Sequence, residues 1–540
     1  MQITTGRPVT LAPRGMVACP HALASQAGVD VLRAGGSAVD AAIAASSTLA
    51  VIYPHMTGLG GDAFWLIHDA KTRAVQVLDG GGRAAASASA AWFIERGMSE
   101  IPFRGVLPAT LTTPGAVASW VEAHRAHGRV PLARALEAAT GYARDGFPVT
   151  ERLAHWIDAT APELAAQPGA AAIFMPQGRA PRAGSALRNP DLARTLDALA
   201  AGGRDGFYGG EVAREMARFA HEHGGFFTTD DLAAQTARWG EPLRGSYRGV
   251  TICETPAPTQ GFTVLQMLNL LEPLELHRLP RLGADAAHLM VQAKQLAYHD
   301  RDRHLADPRF VDVPMARLIS KPYADERRAL IDAQSALSWD RVPSSGSLRG
   351  DTVFIAVVDA QGNAAALINS LYGGFGSCVV AGRSGVLLQN RAAYFSLDPA
   401  HPNCVAPGKT PLHTLIASMA FKGDRLWAVV GCMGADGQPQ IHLQTYVNLI
   451  DHGLDIQQAV EAPRWLSGRF ALGEARDTLH IESRFPQATL DELQRRGHVL
   501  DRWADFAELA GHAHGITLDA ESGMRCGGSD PRSDGAAIGY

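Results

Sequence analysis

GDTVFIAVVDAQGNAAALINS, residues 350–370, opens on Gly350, Asp351 and Thr352 and runs at once into an unbroken apolar segment. A short apolar run bounded by turn residues reads as a strand buried on both faces. A second such run follows AQGN, so the pair predicts a β-hairpin. A threonine at the head of that hairpin has two readings. It can simply begin a strand, where β-branched residues are common. It can also be a nucleophile, which a hydroxyl becomes only with a base beside it. Cutting the chain before Thr352 would supply that base from the residue itself. The new α-amine has a pKa of about 8, against about 10.4 for lysine, so it is partly neutral at neutral pH and lies next to the hydroxyl.

Working outward, the region after Thr352 mixes strands and helices without a period. SGVLLQN and RLWAVVGC read as strands and TLDELQRRGHVL as a late helix. Before it, PHALASQAGVDVLRAGG carries apolar residues at helical spacing (Ala24, Ala27, Val31, Leu32) and closes at Gly35-Gly36. Ser37 with Asp40 is the start signal of a second, alanine-rich helix. TGLGGDA then turns into an apolar strand. It is not GxGxxG and does not open a helix, so it does not read as a phosphate loop. Residues 105–350 are mostly helical in pattern, with RGSYRGVTICETPAPTQG as a strand and turn. The sum is a layered α+β fold with no boundary between independent domains.

The composition sets the outer limits. The chain has 540 residues, 46% of them hydrophobic and 19% charged, with a net charge of −5. That is enough for one large core, and no basic excess calls for nucleic acid. The N-terminal twenty residues lack the apolar core of a signal peptide, and the longest apolar stretch, residues 41–53, falls short of the roughly 18 residues of a membrane span. Cys19, Cys253, Cys378, Cys404, Cys432 and Cys526 form no CxxC pair. Scattered cysteines suit a reducing cytoplasm, where they act as small buried hydrophobes. YHDRDRHLADPRF gathers His299, Asp300, Asp302 and His304. Its spacing matches no metal motif, and a salt-bridged corner at a helix end is the plainer reading. No GxSxG serine elbow occurs.

The stretches PHALASQAGVDVLRAGGSAVDAA, GLGGDAFW, TVFIAVVDAQGNAAALINSLYGGFGS, SGVLLQN, APGKTPLHTL, GCMGADGQPQ and GGSDPRSDGAAIGY decide between the two readings of Thr352. Together they resemble the γ-glutamyltranspeptidase family of N-terminal-nucleophile hydrolases over nearly the whole chain. The resemblance implies a four-layer αββα sandwich and a precursor that cuts itself between Asp351 and Thr352. Residues 1–351 would become a large subunit and 352–540 a small one, both still one folding unit. It makes Thr352 the nucleophile and its α-amine the base. Ser370 would support the nucleophile, and the N–H groups of Gly434 and Ala435 would receive the oxyanion. Alanine serves at 435 if the backbone does not need positive φ there. No metal or organic cofactor is implied.

The substrate pocket departs from the family pattern. Where γ-glutamyl enzymes hold an amino group, this chain has Tyr372, Arg391 and Tyr394, and His413 and Thr414 replace a serine pair. The family's carboxylate-binding arginine falls on glycine in LDGGGRA, with Arg83 close by. An ammonium beside Arg391 would be buried without a partner, whereas a carboxylate there would gain a charge-assisted contact. The stretch between Phe395 and Pro411 is short for a lid, which favours hydrolysis over transfer. These swaps imply a small anionic amide as substrate, and several stretches look like the branch of the family that hydrolyses oxamate. The alternatives are a γ-glutamyl hydrolase or transferase, a glutaryl-type acylase, and an uncleaved binding protein of the same fold. The partner expected beyond the two subunits is a further copy of the pair, in a homo-oligomer of the heterodimer.

Overall fold

The computed structural model describes residues 6–340, 342, 350–468 and 477–540; the first five residues of the N-terminal stretch considered above lie outside them. The hairpin forms as expected: Asp351–Val358 pairs antiparallel with Ala364–Tyr372. Its alternation explains the unbroken apolar run. Val353, Ile355 and Val357 face a helical layer, while Phe354, Ala356 and Val358 face a second sheet, so neither side of the strand meets water.

This hairpin is the centre of a seven-stranded antiparallel sheet. Its order is Ala536–Gly539, Met16–Cys19, Asp351–Val358, Ala364–Tyr372, Asp62–His68, Val75–Gly80 and Arg238–Gly240. A second antiparallel sheet runs Thr10–Ala12, Arg525–Ser529, Ala513–Leu518, Arg425–Cys432, Ser418–Lys422, Val250–Glu254 and Leu243–Tyr247. The sheets pack face to face through Phe64, Phe354, Ile368, Leu415, Met419 and Ile516. Helices Ala22–Arg33, Ala38–Ile52 and Ala116–His127 cover the first sheet; Phe262–Leu271, Gln438–Ile450 and Ile456–Glu461 cover the second. Three apolar interfaces between four layers make an αββα sandwich, and both sheets draw strands from either side of Thr352.

Local signals hold at the first helices. Ser37 and Asp40 form a reciprocal capping box at the start of Ala38–Ile52, every residue of which is buried. Gly35 closes the preceding helix at φ 91°. Other expectations need correction. SGVLLQN is not a sheet strand: its chain crosses others only at isolated bridges, Gly60 to Leu388 and Val380 to Leu387. It is nonetheless wholly buried from residue 386 to residue 390, so its apolarity reflects burial rather than sheet pairing. The late helix stops at Arg495, and its last residues turn into the strand Val499–Trp503. RGSYRGVTICE is a two-stranded hairpin turning through Arg248 and Gly249, both at positive φ.

Candidate active site

Thr352 sits where the central hairpin is irregular. Asp351 lies opposite Tyr372 and Val353 opposite Asn369, so a bulge falls at the threonine. Bulges re-aim side chains and recur beside active sites. Thr352 is 1% exposed, and its Oγ1 accepts from Gln438 Nε2 at 3.4 Å. Ser370, on the partner strand, donates its hydroxyl to the carbonyl oxygen of Asp351 at 2.6 Å and accepts from Tyr372 N at 2.8 Å. Gly61 packs against the backbone of Ser370, where a β-carbon would collide with the Ser370 carbonyl. The glycine-rich turn is thus a crossing point of two chains.

Arg391 enters from the short helical turn Arg391–Tyr394 and is fully buried. Its guanidinium donates to Thr414 Oγ1 at 3.0 Å and reaches Ser370 Oγ at 3.5 Å. It lies 4.5 Å from the centre of the Tyr372 ring. Among the described residues it forms no ion pair, and its Nε has no hydrogen-bond partner. Burial lowers its pKa, with Asp62 opposing this through space. Asp62 accepts from Gly82 N at 2.7 Å and Gln389 Nε2 at 3.0 Å, and its carboxyl is hydrogen-bonded to His413 Nε2 at 2.9 Å. Burial pushes Asp62 up to about 7, against the pull of Arg391 and of the Gln389 and Gly82 donors. Burial and the Arg391 charge hold His413 neutral.

Aromatic rings close one side. Tyr372 stands edge-on to Tyr394 at 5.2 Å and to Phe103 at 5.5 Å. Tyr394 donates its hydroxyl to the Asp436 carboxylate at 2.6 Å; burial and that carboxylate push its own pKa far up. Asp436 is also paired with buried Arg301 at 2.7 Å. These contacts anchor the turn after Cys432. Gly434 stands at φ 142° and Ala435 at φ 47°. The turn therefore does use positive φ at the alanine, contrary to the condition set above, in a region where a β-carbon costs about 1–2 kcal/mol. Gln260 Nε2 binds the Ala435 carbonyl at 3.0 Å, and the Tyr298 hydroxyl donates to that of Asp436. Among the described residues the N–H groups of Gly434 and Ala435 make no hydrogen bond within the fold.

The structure thus gathers Asp351, Thr352, Ser370, Tyr372, Arg391, Tyr394, His413 and Thr414 around one point, with Gly434 and Ala435 beside them. Ala435 reaches the junction directly, since a β-carbon on Gly350 would lie 2.7 Å from that of Ala435. Arg83 is different. Its guanidinium binds Thr236, at 2.5 Å to the hydroxyl and 3.2 Å to the carbonyl, and makes no hydrogen bond to the other candidates. The segment between Phe395 and Pro411 folds on itself: Asn403 donates to Tyr394 O and accepts from Leu412 N, both at 2.8 Å. Sequence reasoning missed Asp62, Gln389, Gln438, Asp436 and Arg301. The first four lie inside GLGGDAFW, SGVLLQN and GCMGADGQPQ, so their signal was present without a role attached.

The charged segment at 298–310 is a corner. Asp300 pairs with Arg327 at 3.3 Å, Arg301 with Asp302 at 2.9 Å, and Asp307 with Arg309 at 2.5 Å. Asp307 also accepts from Thr410 N at 2.9 Å, which fixes the approach to His413. Among the described residues no cluster of three or more His, Cys, Asp or Glu side chains is arranged around a metal position, and no helix is long and apolar enough to cross a membrane.

The layered fold, with a threonine heading its central strand, is that of an N-terminal-nucleophile hydrolase. The cephalosporin acylase of Bacillus halodurans superimposes with a TM-score of 0.90 at 35% identity, covering 100% of this chain and 98% of that one. Residues 24–540 match the Gamma-glutamyltranspeptidase family, and the chain belongs to it. Relatives include the glutathione hydrolase-like YwrD proenzyme of Bacillus subtilis, 40% identical over 97% of this chain and 98% of that protein. The oxamate amidohydrolase proenzyme of Klebsiella pneumoniae is 41% identical over the same shares. The protein is an enzyme of this hydrolase class.

Proposed function

We propose that the chain cuts itself between Asp351 and Thr352 and that the matured enzyme hydrolyses a small anionic amide, oxamate being the best candidate. The observation that carries this reading is Arg391: a fully buried guanidinium, without an ion pair among the described residues, that reaches the side chain holding the Asp351–Thr352 peptide. A buried cation of this kind is a ready partner for a carboxylate, which would gain charge-assisted hydrogen bonds from Arg391 and a neighbour in Thr414. An amide carbon one bond from that carboxylate stays close to Thr352. The rings of Phe103, Tyr372 and Tyr394 pack edge to edge beside Arg391, and a short acyl group suits a site bounded by them.

In turnover, Thr352 Oγ attacks the amide carbon while the Thr352 α-amine takes the hydroxyl proton. The oxyanion is received by the N–H groups of Gly434 and Ala435, one such donor contributing roughly 10²–10³ in rate. The amine returns the proton to the leaving nitrogen, and water then hydrolyses the acyl-enzyme. Ser370, released from the old carbonyl, supports the nucleophile. Residues 1–351 and 352–540 stay together because both sheets contain strands from each. All six cysteines are free, in keeping with a cytoplasmic enzyme.

The test has two stages. Intact mass of the wild type against Thr352→Ala comes first: fragments breaking between Asp351 and Thr352 in the wild type alone support the nucleophile, and a full-length mass in both removes self-cleavage at Thr352. Ammonia release from oxamate is then compared with cleavage of γ-glutamyl and glutaryl amides. Preference for either of the latter overturns the short-anion assignment.

A further inference from the structure

Asp351 supplies the carbonyl that self-cleavage breaks, but its side chain has an environment of its own. It is 7% exposed and makes no hydrogen bond among the described residues. Its Oδ2 lies so close to Gly374 that a β-carbon there would stand 2.7 Å away. The titratable or charged groups facing it are Glu508, Arg104 and Tyr53. Arg104 is occupied by the carbonyls of Gly374 and Gly376. Glu508 is held in place by Trp156 Nε1 at 2.9 Å and Arg152 at 2.5 Å. Tyr53 is fully buried and its hydroxyl has no hydrogen-bond partner among the described residues. A buried carboxyl facing a fixed carboxylate, with its nearest arginine engaged elsewhere, is held in the acid form. Burial and then Glu508 push Asp351 up to about 8, with Arg104 opposing.

We infer that the Asp351 carboxyl is the proton shuttle of self-cleavage, working on the peptide bond that follows it. This rests on Thr352 being the self-cleaving nucleophile. Before cleavage Thr352 has no free amine, so the base used in turnover does not yet exist and another group must move the proton. An aspartic side chain reaches the peptide nitrogen after it through a short ring, and Ser370 already polarises the carbonyl between them. Thr352 Oγ bonds to the Asp351 carbonyl carbon and the bond from that carbon to Thr352 N breaks. One carboxyl oxygen of Asp351 gives its proton to the departing nitrogen, and the other accepts the proton leaving Thr352 Oγ. The carboxyl ends protonated, the nitrogen becomes the free α-amine, and the two halves are joined by an ester. Water then splits the ester into the Asp351 α-carboxylate and the Thr352 hydroxyl.

The experiment follows conversion of purified full-length precursor to its two fragments between pH 6 and 10, for wild type, Asp351→Asn and Glu508→Gln. The wild-type rate is expected to fall above about pH 8, as Asp351 ionises and can no longer donate. Asp351→Asn is expected to cleave about 10²-fold more slowly, at the low end for a positioned acid–base group, with that limb gone. Glu508→Gln removes the repelling carboxylate and moves the limb to lower pH. Its shifted limb tests the assignment even if Asp351→Asn folds poorly. Asp351→Asn cleaving at the wild-type rate with the same limb, or a limb unmoved by Glu508→Gln, overturns the inference while leaving Thr352 in place. A wild type that stays whole at every pH overturns both.

Discussion

The hydroxyl of Ser370 lies 2.6 Å from the carbonyl oxygen of Asp351 and donates to it. In the proposed scheme, the side chain that would support the nucleophile after maturation is engaged, in the uncut chain, with the carbonyl of the bond proposed to be cut. One residue can serve both stages because Asp351 and Ser370 lie on adjacent strands at a bulge. Loss of that carbonyl, as proposed for self-cleavage, would free the hydroxyl next to Thr352.

Ser370→Ala removes the donor that polarises this carbonyl. Self-cleavage is expected to slow by roughly 10²–10³, the range for losing a single oxyanion donor. A time course of fragment appearance on denaturing gels measures it. A wild-type rate in the variant separates Ser370 from maturation.

Arg391→Met keeps much of the side-chain bulk and removes the charge. Loss of charge-assisted hydrogen bonds of about 1.5–3 kcal/mol lowers kcat/KM for an anionic amide about 10–100-fold. An uncharged amide of the same size should be affected far less. Equal losses on both substrates would point to a packing role instead.

Asp62 adds a pH dependence. Its pKa of about 7 means it is neutral below that pH and anionic above it. An anionic Asp62 offsets the Arg391 charge, so KM for an anionic amide is expected to rise as pH passes through about 7. Asp62→Asn should flatten that rise, which steady-state kinetics across pH 5.5–8.5 can follow. A rise that persists in the variant assigns it to another group.

Ala435 holds φ 47°, so Ala435→Gly relieves a strained β-carbon. The variant is expected to gain about 1 kcal/mol, net of the greater chain entropy of glycine. It should appear as a higher denaturant midpoint at unchanged slope. The N–H survives, so turnover should be retained. A fall in turnover would show that the Ala435 methyl matters to the site.

The sequence by itself determined the hairpin, the capped first helices, the layered α+β class and the nucleophile candidate. The hairpin and the caps are local properties, alternation and a cap three residues from its partner, whereas the choice of Thr352 rested on motifs spread along nearly the whole chain. Its resemblance to the γ-glutamyltranspeptidase family also exposed the exchange of residue types at 372, 391 and 394, where the chain carries Tyr, Arg and Tyr. Tertiary structure alone decided what Arg391 faces, because its neighbours Ser370, Thr414 and Asp62 come from three separate segments. It decided that Arg83, a few residues beyond the strand Val75–Gly80, turns to Thr236 instead. It showed SGVLLQN buried without a sheet, which periodicity cannot separate from a strand. The acid form of Asp351 arises from its burial and then from Glu508, 157 positions away in the numbering. Burial and electrostatics act through space, and a chain reveals them only once it is folded.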